Sequence, residues 1–143
     1  MFQLPPSSPI HMFPVKVVHG LRCGIETPKY GVREGRGWSH VLPADYGFIH
    51  DYIGADGDEI DCYIGSNPDS ARVWVVDQNR LHNTSKFDEH KVMLGYDSKE
   101  EALNDYLAGH TDGKKIFRGI TFMLMGEFKK WLMNGDLTKP LSD

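Results

Sequence analysis

Through most of the chain, apolar positions fall in short alternating or continuous runs; helical spacing is confined to the C-terminal part. "PVKVVHGLRCGIETP" (14–28) alternates well enough to predict one or two short strands, with Val17, Leu21 and Ile25 turned inward. "KYGVREGRGW" (29–38) is punctuated by Gly31, Gly35 and Gly37 and reads as a strand edge with a turn. "DYGFIHDYI" (45–53) and "EIDCYIG" (59–65), rich in Tyr, Phe and Ile, predict two more strands. "SNPDSA" (66–71) has the composition of a turn. "RVWVVDQ" (72–78) is the clearest buried strand and "HKVMLGY" (90–96) the next, with the polar "NRLHNTSKFDE" (79–89) predicted as a long hairpin loop.

The helical pattern begins at "SKEEALNDYLAGH" (98–110). Ser98 is its N-cap, Glu100 and Glu101 fill the first turn, and Leu103, Tyr106 and Leu107 share a face until Gly109. A second helix, "MGEFKKWLMNG" (125–135), sets Phe128, Trp131 and Leu132 at helical spacing, with Gly135 as its stop. Five or six short strands followed by helices predict an α+β fold: a small, OB-like β-barrel or curled sheet with two C-terminal helices packed on one side. Residues 1–14, with prolines at 5, 6, 9 and 14, read as an extended leader before a single domain over 15–143.

Composition narrows the function rather than the fold. The chain has 143 residues, 25% charged, with a formal net charge of −4, so it carries no electrostatic footprint for duplex nucleic acid. Cys23 and Cys62 lie far apart and match no zinc spacing. No apolar run is long enough for a membrane span, and "MFQLPPSSPIHMFP" lacks the charged and apolar regions of a secretion signal. A cytoplasmic protein is the expectation.

The chemistry concentrates at "YGFIHDYIGADGDEID" (46–61), where Asp56, Asp58 and Asp61 fall within six residues. Two carboxylates about 5 Å apart repel by roughly 3 kcal/mol at an effective dielectric of 20, so three must splay into water, hold protons or bind a cation. Gly57 permits a sharp bend, and alternation puts Asp61 on the face opposite Ile60 and Cys62. Oxygen donors favour Mg²⁺, Mn²⁺ or Ca²⁺ over zinc. An EF-hand counted from Asp56 would need Gly and Glu where Asp61 and Asn67 stand. Taken alone, Asp-Gly-Asp reads more readily as a solvated turn than as a ligand loop. "GVREGRG" (31–37) matches neither common nucleotide loop.

The whole phrase carries more. "YGFI" followed by "DGDEID" closely resembles the signature of soluble family I inorganic pyrophosphatases; "IETP" (25–28) and Pro43 agree with its flanks. "PADYGFI", "GADGDEIDCYIG", "FDEHKVMLGY" and "EFKKWL" are still more similar to the pyrophosphatase-like domain of phage and prophage polyvalent proteins. The resemblance spans about residues 23 to 133.

It implies the pyrophosphatase type of barrel and an Mg²⁺-dependent enzyme, with Mn²⁺ as substitute, acting on a small anionic phosphate. A homo-oligomer is compatible with it, and in a phage it would work in the host cytoplasm. By this resemblance Asp56 and Asp61 ligate Mg²⁺, Asp58 accepts the proton of the attacking water, and Glu26 reaches a metal through water. A second acidic group is implied by the pattern Asp, short loop, Asp-x-Lys. Here Asp77 opens it after a longer loop, with Glu89 in register with Lys91 and Asp88 the match by residue type. Arg33, Arg36, Tyr46 and Lys91 are the implied phosphate grip. The family's late Tyr-Lys pair has no clean counterpart, and His110, Lys114 and Lys115 are what the region offers, Lys114 foremost. A family tyrosine before Pro43 is here Leu42.

Two other readings stay open. The same metal site could serve a nucleotide or cyclic-nucleotide phosphate, with Tyr30, Trp38 or Tyr52 walling a base. A non-catalytic binding module on the same scaffold would make Asp58 dispensable.

Overall fold

The computed structural model describes residues 13–142. The predicted Pro-rich leader therefore lies outside the described residues, save Phe13 and Pro14. Those two are anchored: the Phe13 ring meets Phe48 edge-on at 6.0 Å, and Pro14 accepts a hydrogen bond from Ile25 N–H at 2.8 Å.

Among the described residues nine strands and three helices follow, in the order β1 (Val15–Val18), β2 (Leu21–Thr27), β3 (Val32–Gly35), β4 (Trp38–Val41), β5 (Asp45–Ile53), β6 (Glu59–Ile64), β7 (Arg72–Arg80), β8 (Asn83–Leu94), α1 (Lys99–Ala108), α2 (Gly113–Ile116), β9 (Phe117–Leu124) and α3 (Met125–Asn134). Seven strands form one mixed sheet in the order β1-β2-β5-β6-β8-β7-β9, and β3 and β4 make a separate hairpin. The strand-rich α+β architecture is as the pattern predicts, with more strands.

The differences have local causes. His19 and Gly20 both take positive φ (48° and 83°), the two-residue hairpin turn that matches strand twist. Val18 and Leu21 flank it as a pair, so Val18 is buried and Val17, predicted inward, is 62% exposed. The predicted long loop at 79–89 is mostly ladder: β7 and β8 pair as far as Arg80 and Asn83, through irregularities at Gln78, Asn79 and Arg80. β9, which the pattern does not signal, is an edge strand paired with β7 from Arg72–Leu124 to Gln78–Phe117.

The helices lie against opposite faces of the sheet rather than one. Val73 and Val75 of β7, with Val92 and Leu94 of β8, pack with Phe128 and Leu132 of α3. Trp74, Val76 and Met93, the alternate residues, pack with Ala102 and Tyr106 of α1. A strand buried on both faces must be apolar throughout, which is why "VWVV" shows no alternation. The Val, Leu, Met and Phe side chains among these each contribute roughly 1.5–3 kcal/mol once buried. Helix α1 starts as its sequence predicts, Ser98 Oγ accepting from Glu101 N–H at 3.2 Å. No helix among the described residues is long and apolar enough to cross a membrane.

Candidate active site

The face that carries Tyr46, Tyr63 and Met93 gathers the polar groups. Gly47 makes this possible: a Cβ there would stand 1.7 Å from the carbonyl oxygen of Gly24, so only glycine lets β5 close onto β2. β6 and β8 pair in parallel with Asp61 beside Lys91, and Tyr46 projects from β5 next door. Lys91 Nζ donates to Tyr46 Oη at 2.9 Å and to Asp61 Oδ2 at 2.5 Å, and lies 3.2 Å from Glu89 Oε1. Tyr46 Oη in turn donates to Asp61 Oδ2 at 3.0 Å.

Lys91 is 6% exposed, and burial disfavours its charge. Tyr46, Asp61 and Glu89 outweigh that cost and hold its pKa well above the ordinary value, so it stays an ammonium. Burial raises the Tyr46 phenol, which remains a donor. For Asp61 burial acts upward, yet Lys91 and the bonds from Glu89, Lys91 and Tyr46 leave it below the usual carboxylate range. Glu89 takes the opposite course: burial, with Asp61 beside it, pushes it up to about 8. The Asp61–Glu89 pair thus shares one proton, held on Glu89.

The acidic loop stands at the edge of this cluster. Gly57 has φ +85°, and Asp56 accepts the backbone N–H of Asp58 at 3.0 Å, closing the turn. Burial raises Asp56, and the charges of Asp61, Asp58 and Asp88 add to that rise. Burial and then Asp61 raise Glu26 as well. Arg33, on β3, lays its guanidinium 4.8 Å from the centre of the Tyr46 ring.

Residues 12–133 match the family model described as Inorganic Pyrophosphatase. The chain belongs to the inorganic pyrophosphatase family. It is accordingly a phosphohydrolase. Among solved structures it is similar to an inorganic pyrophosphatase from the pathogenic bacterium Helicobacter pylori, at 17% identity and a TM-score of 0.43, over 85% of this chain and 95% of that one. Among curated proteins none matches.

Against the family's pattern, one predicted ligand lies elsewhere. Asp77 is on the opposite face of β7, 2.8 Å from His90 Nδ1, and its Oδ2 accepts the backbone N–H groups of Leu141 and Ser142 at 2.9 and 2.7 Å. Its carboxylate is spent on holding the C-terminal segment. The neighbour Gln78 occupies the site face, directly across from Glu89, and accepts from Tyr106 Oη at 2.8 Å. A one-residue step along a strand changes the face, and that step separates the predicted residue from the one present.

Glu89 enters the cluster, whereas Asp88 is the unpaired residue between Phe87 and Glu89 at the β8 irregularity, half-buried and within electrostatic reach of Asp56. Arg36, in the β3–β4 turn, and Lys114 and Lys115, on α2, face solvent. His110 is drawn in instead: burial, then Lys91 and Arg33, hold its pKa below the usual value. Of the three predicted aromatic walls, Tyr30 is exposed, Tyr52 packs on the α3-side core, and Trp38 stands against Arg33.

Among the described residues no three His, Cys, Asp or Glu side chains converge tightly enough to hold a metal ion as they stand. The donor chemistry nevertheless fits a hard divalent cation. Asp56, Asp61, Glu89 and Glu26 are all oxygen donors, and Asp61 adds to the rise of the other three. Added positive charge relieves that repulsion.

Proposed function

We propose that this chain hydrolyses inorganic pyrophosphate to two phosphates in a divalent-cation-dependent reaction in the cytoplasm. The observation that carries the reading is the buried ammonium of Lys91 among Tyr46, Asp61 and Glu89, beside a loop whose carboxylates repel one another. A surface acidic turn has no use for a desolvated cation pinned by three partners. An anion-processing site does.

Asp56, Asp61 and Glu89, with Glu26 at longer reach, are the residues to hold Mg²⁺ or its substitute Mn²⁺. Bound there, the cation neutralises phosphoryl oxygens and makes an adjacent water easier to deprotonate. Asp58, exposed on the loop, accepts the proton of that water. Arg33 binds the phosphate oxygens as a planar fork, and Lys91, its hydrogens held by Tyr46, Asp61 and Glu89, attracts them as a point charge. Tyr46, kept protonated, gives its one hydrogen to Asp61 and so fixes that carboxylate. With Arg36 and Lys114 turned to solvent, Arg33 carries the larger share of the grip.

The test is phosphate release from pyrophosphate with Mg²⁺ and with chelator, for the natural protein and for Asp58→Asn. Release that needs Mg²⁺ and falls by about 100-fold or more in the variant supports the mechanism. Equal release by Asp58→Asn removes its role as proton acceptor. No release from either protein, with cation binding intact, removes pyrophosphate as the substrate.

A further inference from the structure

Beside the proposed hydrolytic face lies a second concavity, of about 250 Å³, walled by Trp38, His40, Leu81, His110 and Asp112, with Arg33 on the side toward Tyr46. Inorganic pyrophosphate has nothing to place there. Trp38 and Leu81 are each 37% exposed, and they come from the β3–β4 hairpin and the tip of the β7–β8 hairpin. The third wall is the segment after α1, where His110 and Asp112 stand. Three separate chain segments thus bring apolar surface and hydrogen-bonding groups to one recess.

The polar groups in it suit a neutral, hydrogen-bonding ligand more than a second phosphate. His40 Nε2 is 2.7 Å from Thr111 Oγ1, and its ring lies 5.8 Å from that of Trp38. His110 Nδ1 accepts the Asp112 backbone N–H at 3.0 Å, so in the neutral ring Nε2 carries the hydrogen and donates. Burial, Lys91 and Arg33 lower its pKa against the opposing pull of Asp112 and so favour the neutral ring. The Asp112 carboxylate repels an anion and accepts from an amino group or a sugar hydroxyl.

Arg33 joins the recess to the catalytic face. Its guanidinium lies 5.5 Å from the Trp38 ring and 4.8 Å from the Tyr46 ring, so one cation touches both. A phosphate held by Arg33 therefore has Trp38 within reach of whatever it carries on its other side.

We propose that the recess binds the nucleoside end of a nucleoside diphosphate, the base stacked on Trp38 and the phosphate next to the sugar held by Arg33. This deepens, and rests on, the reading of the Asp58–Asp61–Lys91 face as a phosphoanhydride-cleaving centre. Water oxygen bonds to the terminal phosphorus, and the bond from that phosphorus to the bridging oxygen breaks. The bridging oxygen leaves on the nucleoside monophosphate, and the proton of the water passes to Asp58. No oxidant or further reactant is needed.

The test compares ADP with methyl diphosphate, which has the same anhydride and charge but no nucleoside. Equilibrium binding with Mg²⁺ is measured on the full chain carrying Asp58→Asn, alone and combined with Trp38→Ala or Trp38→Phe; turnover of both compounds and of pyrophosphate is measured on the natural protein. The expected result is ADP bound roughly tenfold or more tightly than methyl diphosphate, a preference erased by Trp38→Ala and largely kept by Trp38→Phe. Equal binding of the two compounds, or a preference unchanged by Trp38→Ala, overturns the proposal. The two readings fail separately. A Trp38-dependent preference without any turnover leaves the recess standing and removes the hydrolytic centre. Pyrophosphate turnover without the preference does the reverse.

Discussion

Gln78 and Glu89 stand directly opposite each other on β7 and β8, their side chains on one face of the sheet. The residue beside the proton-holding carboxylate of the site is therefore a neutral amide, fixed by Tyr106 at 2.8 Å. An acid at this place would join Asp61 and Glu89 as a further oxygen donor. Gln78→Glu keeps the side-chain length and the acceptor for Tyr106 while adding negative charge. The expected outcome is tighter Mg²⁺ binding by calorimetry, together with a metal-free protein destabilised by ~1–3 kcal/mol from the added buried charge. Unchanged Mg²⁺ affinity would place the cation away from Glu89.

Lys91 is the group on which the cluster turns. Removing it leaves Asp61 and Glu89 buried without their cation, and breaking a buried pair from one side costs about 3–5 kcal/mol. Lys91→Met is expected to lower the melting temperature sharply in chelator and less in Mg²⁺, because a bound cation takes over the screening. Pyrophosphate turnover is expected to fall by about 100-fold or more. A variant equally destabilised in both conditions would mean that no cation binds next to Asp61.

The outline of this site was legible in the chain, and its facing was not. The Asp56–Asp58–Asp61 loop, Tyr46 and Lys91 could be named because "YGFI", "DGDEID" and "FDEHK" resemble the family's signature. Asp77 could not be told from Gln78, because "VWVV" is apolar on both faces and carries no parity. Between Asp88 and Glu89 register with Lys91 favoured Glu89 and residue type favoured Asp88, so both stayed open for a related reason. The irregularity between Phe87 and Glu89 adds a residue, and no pattern of side chains announces where. The inward set of β1 slipped through the His19–Gly20 turn, whose positive φ values decide which valine is buried. His110 was raised only as a stand-in for a missing pair. Its place near Lys91 and Arg33 depends on how the segment after α1 folds back, a long-range contact.

The proton on Glu89 gives the metal-free protein a pH signature. Its folded-state pKa, about 8, lies above that of an unfolded glutamate, so its contribution is fully present below the ordinary carboxylate range. That contribution is lost as pH rises through about 8. In chelator the melting temperature is expected to decline over this interval, and Glu89→Gln is expected to flatten the decline. Mg²⁺ uptake competes with the same proton, so affinity is expected to rise with pH up to about 8, with proton release measurable by titration in buffers of different ionisation enthalpy.

Asp77 supplies the opposite limb. Burial alone would raise its pKa, but His90 and the bonds from Ser142 and Leu141 outweigh it and hold it below the ordinary value. Its contribution is present above the unfolded pKa and lost as pH falls through the folded one. Asp77→Asn leaves His90 with a neutral neighbour and Leu141 and Ser142 with a weaker acceptor, at a cost of roughly 2–4 kcal/mol. Faster hydrogen exchange at the Leu141 and Ser142 amides is expected, while Mg²⁺ affinity per folded molecule stays the same, since the carboxylate points away from Asp61 and Glu89. A selective loss of Mg²⁺ affinity with the C-terminal amides still protected would return Asp77 to the metal site. The second acid of the family's pattern would then act from the far side of the strand, a position that the Asp77–His90 contact at 2.8 Å opposes.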